Sequence, residues 1–206
     1  MSSHFTSMLP KVHVEADFLH FEDNEKLIIE SLDAQQTYRA STVSGYDDDG
    51  ALTHKVVNEN SRKSALRKLS KTFRSIFTNK IQGKLEVIQS EIGVTFPQDP
   101  IFEIEAVHSG DGAFFRRHID TARGHKGSNR LISAVYYYSQ TPAKFTGGEL
   151  VLYSLDGTSS TAVQPANNTM VFFSSIFPHE VLPVSVPSHR FEDGRFSVNC
   201  WIHKSV

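Results

Sequence analysis

The sequence predicts a mainly β protein with flanking helices (α+β): a double-stranded β-helix, or jelly roll, braced by N-terminal helices. Three observations predict it. From about Pro100 onward, short alternating or β-branched runs recur between regularly spaced turn residues. The stretch before about Phe96 mixes helical and strand patterns instead. Fifteen Phe among 206 residues supply flat rings for packing between sheets. The chain reads as a single domain, 1–206. Residues to about 96 form a support region, and those from about 100 form the core.

In the first part, Ala16 to Leu32 reads as a short strand and then a helix. Tyr38 to Val43 and His54 to Val57 read as strands about a turn at Asp47, Asp48, Asp49 and Gly50. Ser61 to about Ile92 is expected to be one long helix, because Leu66, Leu69, Phe73, Ile76 and Phe77 follow helical spacing and Ile81, Leu85, Ile88 and Ile92 continue it. Gly83 marks a kink or a break. The basic run Arg62, Lys63, Arg67, Lys68, Lys71 and Arg74 then becomes that helix's solvated face.

In the second part the expected strands are Ile101 to His108, Ala113 to His118, Leu131 to Tyr138, Glu149 to Tyr153, Thr161 to Gln164, Thr169 to Phe173, Glu180 to Val184 and Phe196 to His203. Gly147-Gly148 serves a backbone turn, with no helix after it to make a phosphate site.

Composition sets the class. Apolar content of 39% and charged content of 21% are those of an ordinary globular protein. A net charge of −2 gives no global field toward nucleic acid or an anionic membrane. Cys200 is the only cysteine, so an internal disulfide is impossible, and it reads as a small core residue. The start lacks an apolar leader, and no stretch reaches the roughly 20 apolar residues of a membrane helix. These points lead to the expectation of a cytoplasmic protein with neither nucleic-acid nor membrane partners; they leave its oligomeric state open.

His118 and Asp120 stand two apart, which on a strand puts imidazole and carboxylate on one face. With a distant His179 they make the two-His, one-carboxylate set that holds iron(II) with open positions. Arg195, in the final strand, supplies a fixed positive charge for an anionic cosubstrate. Alone, the pair is weak evidence for a metal and reads first as a surface contact, with His179 capping a loop.

The segment from about His108 to His203 resembles the prolyl 4-hydroxylase-like branch of the iron(II)/2-oxoglutarate dioxygenases. The motifs that carry the likeness are His118-Ile119-Asp120, Arg130 to Tyr138, Gly147-Gly148-Glu149-Leu150, Pro178 to Val184 and Gly194 to Trp201, in that order. Arg39 to Ser41 and Arg62-Lys63-Ser64 resemble N-terminal elements of the same branch more weakly. The resemblance implies Fe(II) on His118, Asp120 and His179, with O2, 2-oxoglutarate and ascorbate as the other reactants. It implies that Arg195 grips the far carboxylate of 2-oxoglutarate, a task suited to a guanidinium fork. Arg190 is the rival for that task, in a segment that reads as a loop. Tyr137 matches a tyrosine that bonds the cosubstrate. His108 stands where relatives can have tyrosine; it contacts the cosubstrate, lines the pocket or is a satisfied core histidine. Thr121, Arg123 and Asn199 are candidates to orient the ligands.

The implied activity is hydroxylation of an unactivated C–H bond, coupled to decarboxylation of 2-oxoglutarate to succinate. Asp120 argues for hydroxylation, or for dealkylation where the hydroxylated carbon bears nitrogen, and against halogenation, since halogenating relatives lack the carboxylate. The substrate is peptidyl proline or another protein side chain, or a small molecule such as a free amino acid. A small molecule calls for a lid, from Tyr38 to His54 or Arg123 to Asn129. The reading from another class is a catalytically silent β-barrel that binds metal or ligand as a sensor or interaction module. A third is a cupin-type metal enzyme needing no 2-oxoglutarate.

Overall fold

A computed structural model describes residues 9–46, 52–121 and 129–204. In chain order the elements are β1 (Val12–Ala16), α1 (Phe21–Asp33), a 3₁₀ turn (Gln35–Thr37), β2 (Arg39–Ala40), β3 (Val43–Tyr46), β4 (Leu52–Val56), β5 (Arg62–Lys63), β6 (Ala65–Arg67), α2 (Lys71–Gln82) and α3 (Leu85–Ile92). The second half holds β7 (Ile101–Ser109), β8 (Phe114–His118), β9 (Arg130–Tyr138), β10 (Thr146–Gly147), β11 (Leu150–Tyr153), β12 (Ser160–Val163), β13 (Thr169–Ser174), β14 (His179–Val181), β15 (Val184–Ser185), a second 3₁₀ turn (Phe191–Asp193) and β16 (Arg195–His203).

Two antiparallel sheets carry the fold. The larger runs β1-β13-β9-β16-β7-β6-β2 and the smaller β12-β11-β14-β8-β5. Both are completed by strands from the first third of the chain: β1 pairs with β13, β6 with β7, and β5 with β8. Apolar side chains from both sheets (Tyr137, Leu150, Leu152, Val171 and Phe173) form the core between them. The helices cover the other face of the larger sheet. There Phe73, Phe77, Ile81 and Ile88 pack with Tyr136, Tyr138, Phe172 and Val198.

The central strands β9 and β16 are buried on both faces, and β9 accordingly reads as a nearly continuous apolar run, while β16 alternates apolar with polar residues. Alternation sorts the two faces. On β16, Phe196, Val198, Cys200 and Ile202 face the helices, while Arg195, Ser197, Asn199 and Trp201 face the space between the sheets.

The long helix expected over Ser61 to Ile92 is not there. Residues 62–67 form β5 and β6, and helix begins only at Lys71, where the Ser70 hydroxyl accepts the Phe73 amide at 3.3 Å. Gly83 ends α2 and Gly93, at φ 78°, ends α3, so the glycine interruption is a true break. The basic run is accordingly not one solvated face. Arg62 and Arg67 are buried; Arg67 pairs with Glu30 at 2.9 Å. The first strand precedes Ala16 rather than beginning there. The turn at Asp47 to Gly50 lies outside the described residues. So do residues 47–51 of one expected lid and residues 123–128 of the other. Among the described residues no helix is long and apolar enough to cross a membrane.

Candidate metal centre

His118 ends β8 and His179 begins β14, and these two residues are direct partners across the antiparallel pair. Their ring centres lie 4.2 Å apart. Asp120 follows just beyond β8, where the Thr121 amide meets the Ser175 carbonyl at 3.3 Å. This brings one ligand atom from each of His118, Asp120 and His179 within 4.8 Å of the others. His118 Nε2 is 3.6 Å from Asp120 Oδ1, and His179 Nε2 is 3.4 Å from Oδ2.

The backbone sets the histidine tautomers. His118 Nδ1 lies 2.8 Å from the Arg116 carbonyl and His179 Nδ1 lies 3.0 Å from that of Phe177. A carbonyl only accepts, so each Nδ1 carries a proton, and in the neutral ring it is Nε2 that turns a lone pair toward the cluster. Burial lowers the His118 pKa, and the neighbouring His179 lowers it further. Burial alone would raise the Asp120 carboxyl, but the two imidazoles beside it hold it well below the usual carboxylate range. Burial would lower the His179 pKa, but the Asp120 carboxylate raises it, so a metal would displace a proton from His179 Nε2. An anionic oxygen and two ring nitrogens at this spacing fit a divalent transition metal with open positions.

Arg195 lies in the same pocket, lined also by Tyr137, Leu150, Phe173 and Val181. Its guanidinium is buried. Nη2 lies 3.3 Å from Ser109 Oγ, while Nε and Nη1 have no partner among the described residues. The Tyr137 hydroxyl is likewise buried and unpartnered. A buried cation with two unmatched donors is costly unless an anion completes it. The negative charge of a carboxylate suits that place. Gly148, at φ +75°, leaves room for the guanidinium, since a Cβ there would stand 2.9 Å from Arg195 Cδ.

Other expected residues fall differently. His108 does not face this pocket. Its neighbours Val107 and Ser109 line the pocket, so alternation turns His108 toward the helix-covered side. There it stacks on Phe191 with ring centres 4.0 Å apart, and its Nε2 lies 2.9 Å from the Phe191 carbonyl. Burial lowers its pKa to about 4, so the ring is neutral: a satisfied core histidine, not a cosubstrate contact. Arg190 is on the surface, paired with Glu192 at 2.6 Å. Asn199 lines the pocket and accepts from Ser197 Oγ at 3.2 Å rather than touching a ligand histidine. Arg123 lies outside the described residues. Cys200 is fully buried, and burial raises its pKa.

The groups that do hold Asp120 escaped the sequence reading. Ser133 Oγ donates to Oδ2 at 2.6 Å and Trp201 Nε1 donates to the same oxygen at 2.9 Å. Arg62 also lines the pocket, its Nε donating to Ser64 Oγ at 2.9 Å and its guanidinium lying 4.8 Å from the centre of the Phe115 ring. Period-two alternation along β16 pointed Trp201 to the same side as Arg195; its partner could not be read from that pattern.

Residues 104–203 match the family model of the 2OG-Fe(II) oxygenase superfamily. An uncharacterised PKHD-type hydroxylase from Synechocystis is 30% identical over 198 residues, or 92% of this chain, and the chain spans 62% of that relative's length. A prolyl-4-hydroxylase from Pseudomonas putida shares the fold at a TM-score of 0.67 and 22% identity, with 96% of this chain and 94% of that one covered. A prolyl hydroxylase from Trichoplax adhaerens, solved with a peptide fragment of the hypoxia inducible factor oxygen degradation domain, shares it at 0.67 and 16% identity, covering 94% and 84%.

Proposed function

We propose that this chain, whose residues 104–203 match the family model of the 2OG-Fe(II) oxygenase superfamily, is an iron(II)- and 2-oxoglutarate-dependent hydroxylase. The observation that carries the proposal is the buried Arg195, with two unpartnered nitrogens in the pocket that also holds the three-donor cluster. A metal site alone would have no use for that charge.

In this reading His118, Asp120 and His179 hold the metal through two Nε2 atoms and one carboxylate oxygen. Arg195 anchors the far carboxylate of 2-oxoglutarate by paired charge-assisted hydrogen bonds, and the Tyr137 hydroxyl adds a donor at the same end. Leu150, Phe173 and Val181 keep water from that inner end. When bound, iron and 2-oxoglutarate supply the oxidation: O2 is consumed, the cosubstrate loses carbon dioxide to give succinate, and one oxygen atom enters a C–H bond. Ascorbate belongs to the same reading as the reductant that keeps the metal ferrous.

The substrate class is a prolyl or other peptidyl residue, or an amino-acid-like small molecule. The T. adhaerens neighbour was solved with a peptide, so peptides are the first candidates to assay.

The test begins without oxygen. Fe(II) and 2-oxoglutarate added together should give the charge-transfer colour of the chelate. Air and a panel of proline-containing peptides and free amino acids should then give succinate together with a product heavier by one oxygen. Asp120→Ala should abolish both. Turnover that persists in Asp120→Ala, or a wild type that gives neither colour nor succinate, sinks the reading.

A further inference from the structure

The two oxygens of Asp120 are treated unequally. Oδ2 takes hydrogen bonds from both Ser133 and Trp201, and Ser133 Oγ is itself tied to Ser175 Oγ at 2.9 Å. With two donors on Oδ2, Oδ1 is the oxygen left for a metal. The bond from Trp201 then matters only if the indole is fixed, and the fold fixes it. Strands β7, β16 and β9 set Glu103, Trp201 and Ser133 abreast in one row. Over the indole lies Arg130, its guanidinium carbon 3.9 Å from the ring centre. Glu103 Oε2 pins that guanidinium through Nε at 3.3 Å and Nη2 at 2.8 Å, and His203 Nε2 stands 3.1 Å from the same oxygen.

We propose that Arg130 is a positioning residue for the metal centre and acts through Trp201: the Arg130–Glu103 clamp holds the indole flat, the indole N–H holds Asp120 Oδ2, and Oδ1 is thereby kept facing the ion. The proposal rests on the metal-binding reading above. A guanidinium stacked on an indole face and forked to a carboxylate is a rigid arrangement, which a lysine would reproduce only in part. Partners that orient a metal's ligands typically alter its affinity by 10- to 100-fold. The competing account is a direct effect of charge, since Arg130 Nη1 lies 3.9 Å from Asp120 Oδ1, too far for a hydrogen bond.

Cobalt(II) is the probe, titrated into metal-free protein and followed by its visible spectrum. Arg130→Met should weaken cobalt binding about 10- to 100-fold and alter the bands. Trp201→Phe, which keeps a ring and removes only the donor, should do the same. The double variant should bind no more weakly than Trp201→Phe, and Arg130→Lys should recover part of the loss. Should Arg130→Met fail to fold, Glu103→Gln loosens the clamp from its exposed end and should shift affinity and bands in the same direction. Wild-type affinity and bands in Arg130→Met, or in Glu103→Gln when it stands in, would overturn the proposal. So would a double variant whose loss is the product of the two single losses. Failure of the wild type to bind cobalt(II) would instead remove the metal-site reading, and this inference with it.

Discussion

The guanidinium carbon of Arg195 stands 5.2 Å from the centre of the Tyr137 ring, and Arg195 Nε and Nη1 and the Tyr137 hydroxyl are buried without a hydrogen-bond partner among the described residues. Buried polar groups left this way cost about 1–3 kcal/mol each. Their persistence on β16 and β9 is the signature of a place finished by a ligand.

Arg195→Met should therefore have opposite effects on stability and binding. Without ligand, removing an unpaired buried charge should stabilise the fold by about 1–3 kcal/mol, measured by denaturant unfolding. Binding of 2-oxoglutarate should weaken by at least about 30-fold, because the carboxylate loses a charged partner worth roughly 2–5 kcal/mol. A variant that binds the cosubstrate as well as wild type contradicts the assignment of Arg195.

Tyr137→Phe removes one oxygen and leaves the ring that packs with Leu150 and Phe173. Without ligand, losing a buried unpartnered hydroxyl should stabilise the fold by up to about 1–3 kcal/mol. Cosubstrate affinity should fall by about one hydrogen bond, or roughly fivefold. Calorimetric titration with 2-oxoglutarate reads this directly; an unchanged affinity would leave Tyr137 as wall only.

Gly148→Ala tests the cradle. A side chain at φ +75° is strained, and its Cβ would press on Arg195 Cδ and on Val184 Cγ2, each 2.9 Å away. The expected outcome is a loss of about 1–3 kcal/mol in stability together with weaker 2-oxoglutarate binding. If the substitution costs stability but leaves affinity untouched, the glycine serves the turn alone.

His108 predicts an acid sensitivity that comes from the core and not from the metal centre. Burial lowers its folded-state pKa to about 4, against about 6.5 when unfolded. Between those values the unfolded chain binds the proton and the folded chain does not. Stability is thus fully present above pH 6.5 and falls as pH drops toward 4, by up to about 3 kcal/mol. His108→Gln should flatten that part of the stability profile. The same slope in both proteins would show that the histidine is not its source.

Much of this was legible in the sequence for physical reasons. Strands β7, β9, β13 and β16 announced themselves because four to nine residues are enough for a period of two to show between turn residues. The three metal-ligand candidates and Arg195 were visible because chemistry demands those residue types. Residues 62–67 were misjudged because Leu66 and Leu69 stand by coincidence at helical spacing from Phe73, and strands of two or three residues are too short to show a period. Alternation could have turned His108 outward, had the inward face of β7 been fixed by the pairing of Ser109 with Arg195. Ser133 and Trp201 were not legible at all as partners of Asp120, because their approach depends on which strands become neighbours.

Because β1, β5 and β6 lie far upstream of the family-matched segment yet zip onto β13, β8 and β7, that segment is not a unit that can be cut out. Expressing residues 104–203 alone would strip the pairing partners from both sheets and leave rows of bare amides and carbonyls open to any other chain. Such a fragment should clump rather than dissolve, so the upstream third belongs in any preparation meant to bind metal.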